Sequence, residues 1–232
     1  MTVVVLRHIA CEPAAGYGEA LASLAPVVTV DMGVDTLPDL AEVQAILSMG
    51  GPMGVGDVDR LPWIREELDF LRRAVESDIP VWGVCLGAQM LAAALGAKVY
   101  TGEVPEVGVS EVILNEEGMG DPVWGGSTST LNVLQWHSDT FDVPEGATLL
   151  ASSSLYPNQL FRYGKSYAVQ FHVEASPQLV SEWAEVPEYR DSLSAALGSE
   201  GQQILARGME RVGPQLHDHA TKAMAAWSKL WL

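Results

Sequence analysis

At 232 residues and 48% hydrophobic content the chain can bury a sizeable core, as one large α/β domain or two small ones. Thirty acidic against thirteen basic residues leave a formal charge of −17, which disfavours contact with nucleic acid or anionic lipid and points to a small substrate. No run of ~18 apolar residues is present to span a membrane; the opening Met1 to His8 reads as a first strand and not as a signal peptide; and two cysteines, Cys11 and Cys85, make no disulfide framework, which fits a reducing, cytoplasmic setting.

Short apolar runs alternate with helical patterns through the first part of the chain. Val3–Leu6, Val27–Val30, Ala45–Met49 and Val81–Cys85 read as strands buried on both faces. Between the last two, Trp63, Ile64, Leu68, Leu71 and Val75 recur at helical spacing, with Pro62 near the start and Ser77 to Pro80 marking the end. Strand, helix, strand in this rhythm implies a parallel sheet with helices on both faces, whose ligands bind above the carboxyl ends of the strands. Residues 81–89, Val-Trp-Gly-Val-Cys-Leu-Gly-Ala-Gln, run from one such strand through Cys85 into a helix-forming stretch, Met90–Leu95. A nucleophile on a strand-to-helix turn has its sulfur lifted above the sheet edge and faced by the first N–H groups of the helix, and Gly83 and Gly87 leave room for the tight backbone. Taken by itself, a cysteine in an apolar strand is more often inert core.

After about residue 97 the strands shorten: Lys98–Thr101, Val107–Leu114, Leu131–Trp136, Thr148–Ser152, Gln159–Tyr163 and Tyr167–Phe171, with turn chemistry at Glu116–Asp121 and Tyr163–Ser166. They are expected to add an antiparallel edge to the same sheet. From Ser176 the chain is helical, broken at Leu197–Gly201, with Leu179, Val180, Trp183, Ile204, Met209, Val212, Met224, Trp227 and Leu230 as expected buried positions. No linker or repeat divides the chain, so residues 1–232 are expected to form one domain, with a core of 1–175 and a helical appendage of 176–232.

Three further constellations stand beside Cys85. Ser48-Met49-Gly50-Gly51-Pro52-Met53-Gly54 ends a strand at the same carboxyl edge, and its paired glycines allow a turn that points free N–H groups into a cleft, as an oxyanion hole requires; an ordinary βα turn has the same composition. Val169-Gln170-Phe171-His172-Val173-Glu174 closes the last strand. Residues two apart share a face, so His172 and Glu174 can hydrogen-bond and present the imidazole to a thiol, or be a surface histidine beside a surface acid. Leu134 to Phe141 is another strand end dense in polar groups. His137 and Asp139 there are candidates for substrate binding or alternative catalytic partners, and Asp139 equally suits a cap on the turn that follows.

Gly-Val-Cys-Leu-Gly-Ala-Gln at 83–89, Gly-Gly-Pro-Met at 50–53, Trp-His-Ser-Asp at 136–139 and Gln-Phe-His-Val-Glu at 170–174 together resemble the class I (triad) glutamine amidotransferases, most closely free-standing members similar to the glutaminase domain of GMP synthase. The resemblance covers about residues 1–175 in order and spacing, with no departure in the catalytic pattern. It implies a flavodoxin-like, doubly wound α/β fold, here with a mostly parallel sheet, an antiparallel edge extension and a helical C-terminal segment. It also implies cleavage of the γ-carboxamide of glutamine through a cysteinyl thioester. In that reading Cys85 is the nucleophile, His172 the acid/base and Glu174 its orienting carboxylate. The N–H groups of Gly51 and Leu86 form the oxyanion hole, and Gly50, Gln89, His137, Ser138 and Asp139 hold the substrate. Either a separate synthetase takes the ammonia, or the enzyme hydrolyses γ-glutamyl compounds as a stand-alone peptidase.

Two other classes fit parts of the pattern. Gly83-Val84-Cys85-Leu86-Gly87 with the chain order Cys85, Asp139, His172 also suits an α/β-hydrolase with a cysteine nucleophile, although a carboxylate two residues beyond the histidine is redundant there. A non-catalytic binding module that keeps the site as scaffold is the other. No metal-ligand spacing and no Gly-rich phosphate loop stand out, so neither a metal nor a cofactor is expected and the chain is not expected to activate an acceptor with ATP. Cys11 reads as structural or incidental; His8 and Glu12, near the same sheet edge, are candidates to line the pocket, with surface placement the stronger expectation.

Overall fold

The computed structural model describes residues 1–126 and 128–232. The apolar runs fold as strands β1 (Thr2–Arg7), β2 (Val27–Asp31), β3 (Val43–Ser48), β4 (Val81–Val84), β5 (Val99–Leu114), β6 (Thr130–Phe141), β7 (Thr148–Ser153), β8 (Leu160–Tyr163) and β9 (Ser166–Val169). The helices are α1 (Ala15–Ala22), α2 (Trp63–Glu76), α3 (Leu86–Ala94), α4 (Glu116–Met119), α5 (Pro177–Trp183), α6 (Pro187–Leu197) and α7 (Gly201–Trp227). The strands make one nine-stranded sheet in the order β2-β1-β3-β4-β9-β8-β7-β5-β6. The first five are parallel to one another, and β8, β7, β5 and β6 continue as an antiparallel extension.

Alternation along β1 decides which helices cover which face. Val3 and Val5 belong to the core shared with Tyr17 of α1 and with Trp183, Leu205 and Trp227 of the C-terminal helices, whereas Val4 and Leu6 belong to the core shared with Ile64 and Leu71 of α2 and Met90 of α3. Trp82 is fully buried, with its ring 5.6 Å from Tyr17, 5.3 Å from Tyr167 and 5.4 Å from Trp227. Residues 177–227 therefore cover one face of the sheet, with a single 3₁₀ turn at Gly198–Glu200 between α6 and α7.

Several expectations are corrected. β2 is an edge strand with Val28 48% exposed: among the described residues no strand pairs beyond it. The segments 98–101 and 107–114 are one long strand, β5, whose pairing with β6 shifts register between Thr101 and Glu106. β6 runs on to Phe141, so His137, Ser138 and Asp139 sit within a strand, and Asp139 caps no turn: its Oδ1 accepts from Thr101 Oγ1 across the ladder at 2.7 Å. The 116–121 segment holds the short helix α4, capped by Asn115 Oδ1 on the Gly118 N–H. Ile204 faces solvent, and its neighbour Leu205 takes the core position; Leu179 and Leu230 are half-buried.

Candidate active site

Cys85 lies between the last residue of β4 and the first of α3, at φ 51° and ψ −107°. A non-glycine residue there costs on the order of 1–3 kcal/mol and persists only where its surroundings hold it. Gly83 and Gly87 provide that hold, as expected from the sequence. A Cβ on Gly83 would overlap the carbonyl of Gly87, and one on Gly87 the carbonyl of Ser48. The Cys85 N–H donates to the Val169 carbonyl at 2.8 Å, which ties the elbow to β9, and Sγ–H donates to the Trp136 carbonyl at 3.8 Å.

His172 follows the end of β9. Its backbone exchanges two hydrogen bonds with Leu134, at 2.8 and 3.1 Å, so the antiparallel extension curls back until β6 lies over the centre of the sheet. That closure sets the Trp136 carbonyl beside the sulfur. The side chain of His172 bonds through Nδ1 to Glu174 Oε1 at 2.6 Å, while Glu174 Oε2 accepts the Val173 N–H at 3.0 Å. An ionised carboxylate only accepts, so Nδ1 carries a proton and Nε2 is the free nitrogen. The ring packs edge-on against Trp183 at 4.9 Å. Burial is the largest influence on His172 and pulls its pKa down, but the Glu174 carboxylate and the neighbouring Cys85 outweigh it, and the imidazole titrates well above the ordinary histidine range.

That direction has a consequence for stability. A histidine whose folded pKa exceeds its unfolded value of about 6.5 stabilises the fold fully below that pH and loses the contribution as pH rises through the folded value. Replacing Glu174 by Gln removes the main cause of the upward shift. Urea denaturation from pH 6 to 9 is therefore expected to show the deficit of Glu174→Gln largest near pH 6 and shrinking as pH rises.

A cleft of about 200 Å³ opens over the sulfur, lined by Cys85, Gly51, Gln89 and the 136–139 segment. Gly51 approaches closely because it has no side chain: a Cβ there would stand 3.0 Å from His8 Cβ and 3.1 Å from Leu86 Cδ2. Leu86 opens α3, where a helix leaves its first N–H groups without internal partners. Gln89 is buried and donates through Nε2 to the Asp139 carbonyl at 3.2 Å and to Gln170 Oε1 at 3.3 Å. His137 is bonded at both ring nitrogens, to the Asp139 carbonyl at 2.9 Å and to Glu106 Oε2 at 3.2 Å. Gly50 lies behind Gly51, and its carbonyl is 3.0 Å from His8 Nδ1. The Asp139 carboxylate faces Thr101 and not His172, so the chain order that suited an α/β-hydrolase is not matched by a bond.

Part of the site was not foreseen. α6 contributes Glu188, Tyr189 and Ser192 to the cleft, and Trp136 Nε1 donates to Ser192 Oγ at 2.8 Å. His8 and Glu12, expected at the surface, are buried. His8 Nε2 is 2.8 Å from Glu67 Oε2, whose Oε1 accepts from Ser48 Oγ at 2.6 Å. Glu12 accepts from the Tyr189 hydroxyl and lies against Gly50 and His172. Burial pushes the Glu12 carboxyl above its ordinary range against the pull of His172 and Tyr189. Cys11 is half-buried, with its carbonyl accepting from Trp183 Nε1 at 2.6 Å, and burial followed by the Glu12 charge raises its thiol pKa. Among the described residues no group of three or more His, Cys, Asp or Glu is placed to hold a metal ion, and no helix is long and apolar enough to cross a membrane.

Comparison with known proteins bears on this geometry. Residues 19–182 match the model of the family described as glutamine amidotransferase class-I. Among curated relatives, the glutamine amidotransferase-like protein YfeJ of Salmonella typhimurium is 32% identical over 147 residues, 62% of each chain. A glutamine-hydrolyzing GMP synthase subunit of Thermoplasma acidophilum is 32% identical over 158 residues, 62% of this chain and 74% of that one. Two solved structures share the flavodoxin-like fold nearly end to end. A glutamine amidotransferase of Thermotoga maritima has a TM-score of 0.88 at 28% identity, covering 98% of this chain and 97% of that one. A glutamine amidotransferase of Methylobacillus flagellatus has a TM-score of 0.88 at 27% identity, covering 100% and 95%. With the family model spanning the elbow, the glycine turn and the His172–Glu174 segment, the chain belongs to the class I glutamine amidotransferase family.

Proposed function

We propose that the protein hydrolyses the γ-carboxamide of glutamine, or of a γ-glutamyl compound, through a thioester on Cys85. The observation that carries this reading is the 2.6 Å bond from His172 Nδ1 to Glu174, which leaves Nε2 free beside a sulfur held on a strained elbow. His172 takes the thiol proton onto Nε2 before attack, as its raised pKa favours; the Cys85 thiolate then attacks the γ-carbonyl carbon, and the N–H groups of Gly51 and Leu86 receive the oxyanion. The C–N bond breaks as His172 returns that proton to the leaving nitrogen. Water then attacks the thioester with His172 as base, the C–S bond breaks, and the thiol recovers its proton. An oxyanion donor is worth about 3 kcal/mol and acid–base catalysis by histidine about 10²–10⁴ in rate. Gln89 and residues 137–139 hold the amino-acid end of the substrate.

Relatives named as glutamine-hydrolyzing GMP synthase subunits support a role in delivering ammonia to a separate acceptor enzyme. A γ-glutamyl peptidase is the second reading, favoured by α6: Glu188, Tyr189 and Ser192 extend the polar lining of the cleft beyond the elbow and the 136–139 segment. Incubation with glutamine and a panel of γ-glutamyl amides, with and without proteins encoded nearby, separates them. Ammonia released only with a partner present supports the ammonia-delivering role, and amine released from dipeptides by the protein alone supports the peptidase. Product from neither, with no covalent capture of Cys85 by an electrophilic glutamine analogue, sinks both and leaves the inert binding module.

A further inference from the structure

Behind the oxyanion turn stands a buried chain of polar groups that the reaction steps above do not use. Glu67 lies on the inner face of α2, in line with Ile64, Phe70, Leu71 and Ala74, and is fully buried. A carboxylate in such a place is kept only where it is bonded on both oxygens. Here Oε1 accepts from Ser48 Oγ at 2.6 Å and Oε2 faces His8 Nε2 at 2.8 Å, while the far side of the imidazole, Nδ1, reaches the Gly50 carbonyl at 3.0 Å. Trp63 stacks on the ring at 5.4 Å and 18° and fixes its plane.

The donor directions follow from chemistry alone. A carbonyl oxygen only accepts, so His8 Nδ1 must carry the proton in that bond. The remaining proton sits on His8 Nε2 or on Glu67, and in either case Nδ1–H still donates to Gly50. Burial is the largest influence on His8 and lowers its pKa, but the Glu67 carboxylate, the Gly50 carbonyl and Glu12 together outweigh it and raise it above the ordinary histidine value. In a trans peptide the C=O of one residue and the N–H of the next point to opposite sides. Holding the Gly50 carbonyl against His8 therefore aims the Gly51 N–H away from His8, toward the cleft that Gly51 and Cys85 line together. Neither glycine has a Cβ to set this peptide's orientation, so a side chain elsewhere has to do it.

We propose that His8 is a positioning residue: carried by Glu67 and Ser48, it clamps the Gly50 carbonyl and so presets the Gly51 N–H as the oxyanion donor. This rests on the thioester reading above and deepens it.

The test compares two side chains of similar size at position 8, each with Glu67→Gln so that no unpaired charge is left buried. Asn offers a side-chain N–H near the place of Nδ1, and Leu offers none. With L-γ-glutamyl-p-nitroanilide as substrate, His8→Leu is expected to lower kcat about 10²–10³-fold with KM within about threefold, the loss seen when one oxyanion donor is removed. His8→Asn is expected to recover at least tenfold of that loss. Alkylation of Cys85 by iodoacetamide, which builds no oxyanion, is expected to stay within about threefold in both. Equal kcat in the two variants, or alkylation that falls in step with kcat, overturns the clamp. In the unaltered protein, NMR is expected to show a slowly exchanging His8 Nδ1–H coupled through its hydrogen bond to the Gly50 carbonyl. Absence of that coupling overturns the proposal even if a variant fails to fold. Failure of the underlying reading looks different: the unaltered protein and Cys85→Ala then hydrolyse the anilide equally or not at all, both alone and with proteins encoded nearby, and the inference falls with it.

Discussion

Cys85→Ala is expected to abolish turnover, lowering kcat by about 10⁶, because the acyl group then has no sulfur to bond and removing a nucleophile costs as much as removing the whole catalytic set. Cys11→Ala is the control and is expected to retain activity. Its thiol is half-buried with a raised pKa, and the residue's bond to Trp183 runs through the backbone carbonyl, which the substitution keeps. Equal losses from the two cysteines, with folding intact, count against the nucleophile. Glu174→Ala is expected to weaken turnover without abolishing it, by about 10²–10⁴, since His172 remains but loses its orientation and the support for its charged form. A second variant tests the elbow apart from the chemistry. Cys85→Gly is equally inactive, but at φ 51° a glycine relieves backbone strain that alanine keeps, so Cys85→Gly is expected to be about 1 kcal/mol more stable than Cys85→Ala.

Gly87→Ala is the second large effect, and it acts on the fold and the site together. The first turn of α3 runs so close to the end of β3 that a methyl group on residue 87 would overlap the carbonyl carbon and oxygen and the Oγ of Ser48. Backbone cannot move aside as a flexible side chain can, and the Gly87 N–H is itself bonded to the Met49 carbonyl at 3.0 Å. Overpacking of this kind costs about 3 kcal/mol, which lowers Tm by roughly 6–12 °C in a chain of this size. Displacing α3 also moves the Leu86 N–H relative to the sulfur and disturbs Ser48, which carries Glu67. Thermal denaturation and kcat measured on the same sample check both, and a variant with wild-type Tm and kcat contradicts this view of the elbow.

How much of this was legible in the sequence depended on whether the signal was local. The parallel strands were plain because burial on both faces leaves an unbroken apolar run, and β2 misled because the same Val-Val-Thr-Val reads alike at a sheet edge. The 83–89 elbow and the His172–Glu174 pair were readable since short spacing on a turn or a strand fixes which atoms meet. The extent of β6 was not, because polar His137-Ser138-Asp139 resembles a strand end until the curled extension brings it over the sheet. Nor were Glu188, Tyr189 and Ser192, which reach the cleft only through the docking of α6. Glu67 carried a signal that helical periodicity alone passes over. It is a charge at a position where the buried stripe Ile64, Phe70, Leu71 and Ala74 calls for an apolar side chain, and such a violation marks a buried partner, here His8.

The central claim is that a γ-glutamyl group passes through Cys85. Acid quenching during turnover of L-γ-glutamyl-p-nitroanilide, followed by peptide mass spectrometry, tests it most directly. The expected result is a mass increase of one glutamyl group on the peptide containing Cys85, lost on treatment with hydroxylamine and absent in Cys85→Ala. Hydrolysis that proceeds with no acyl group on Cys85, or with one on another residue, would contradict it.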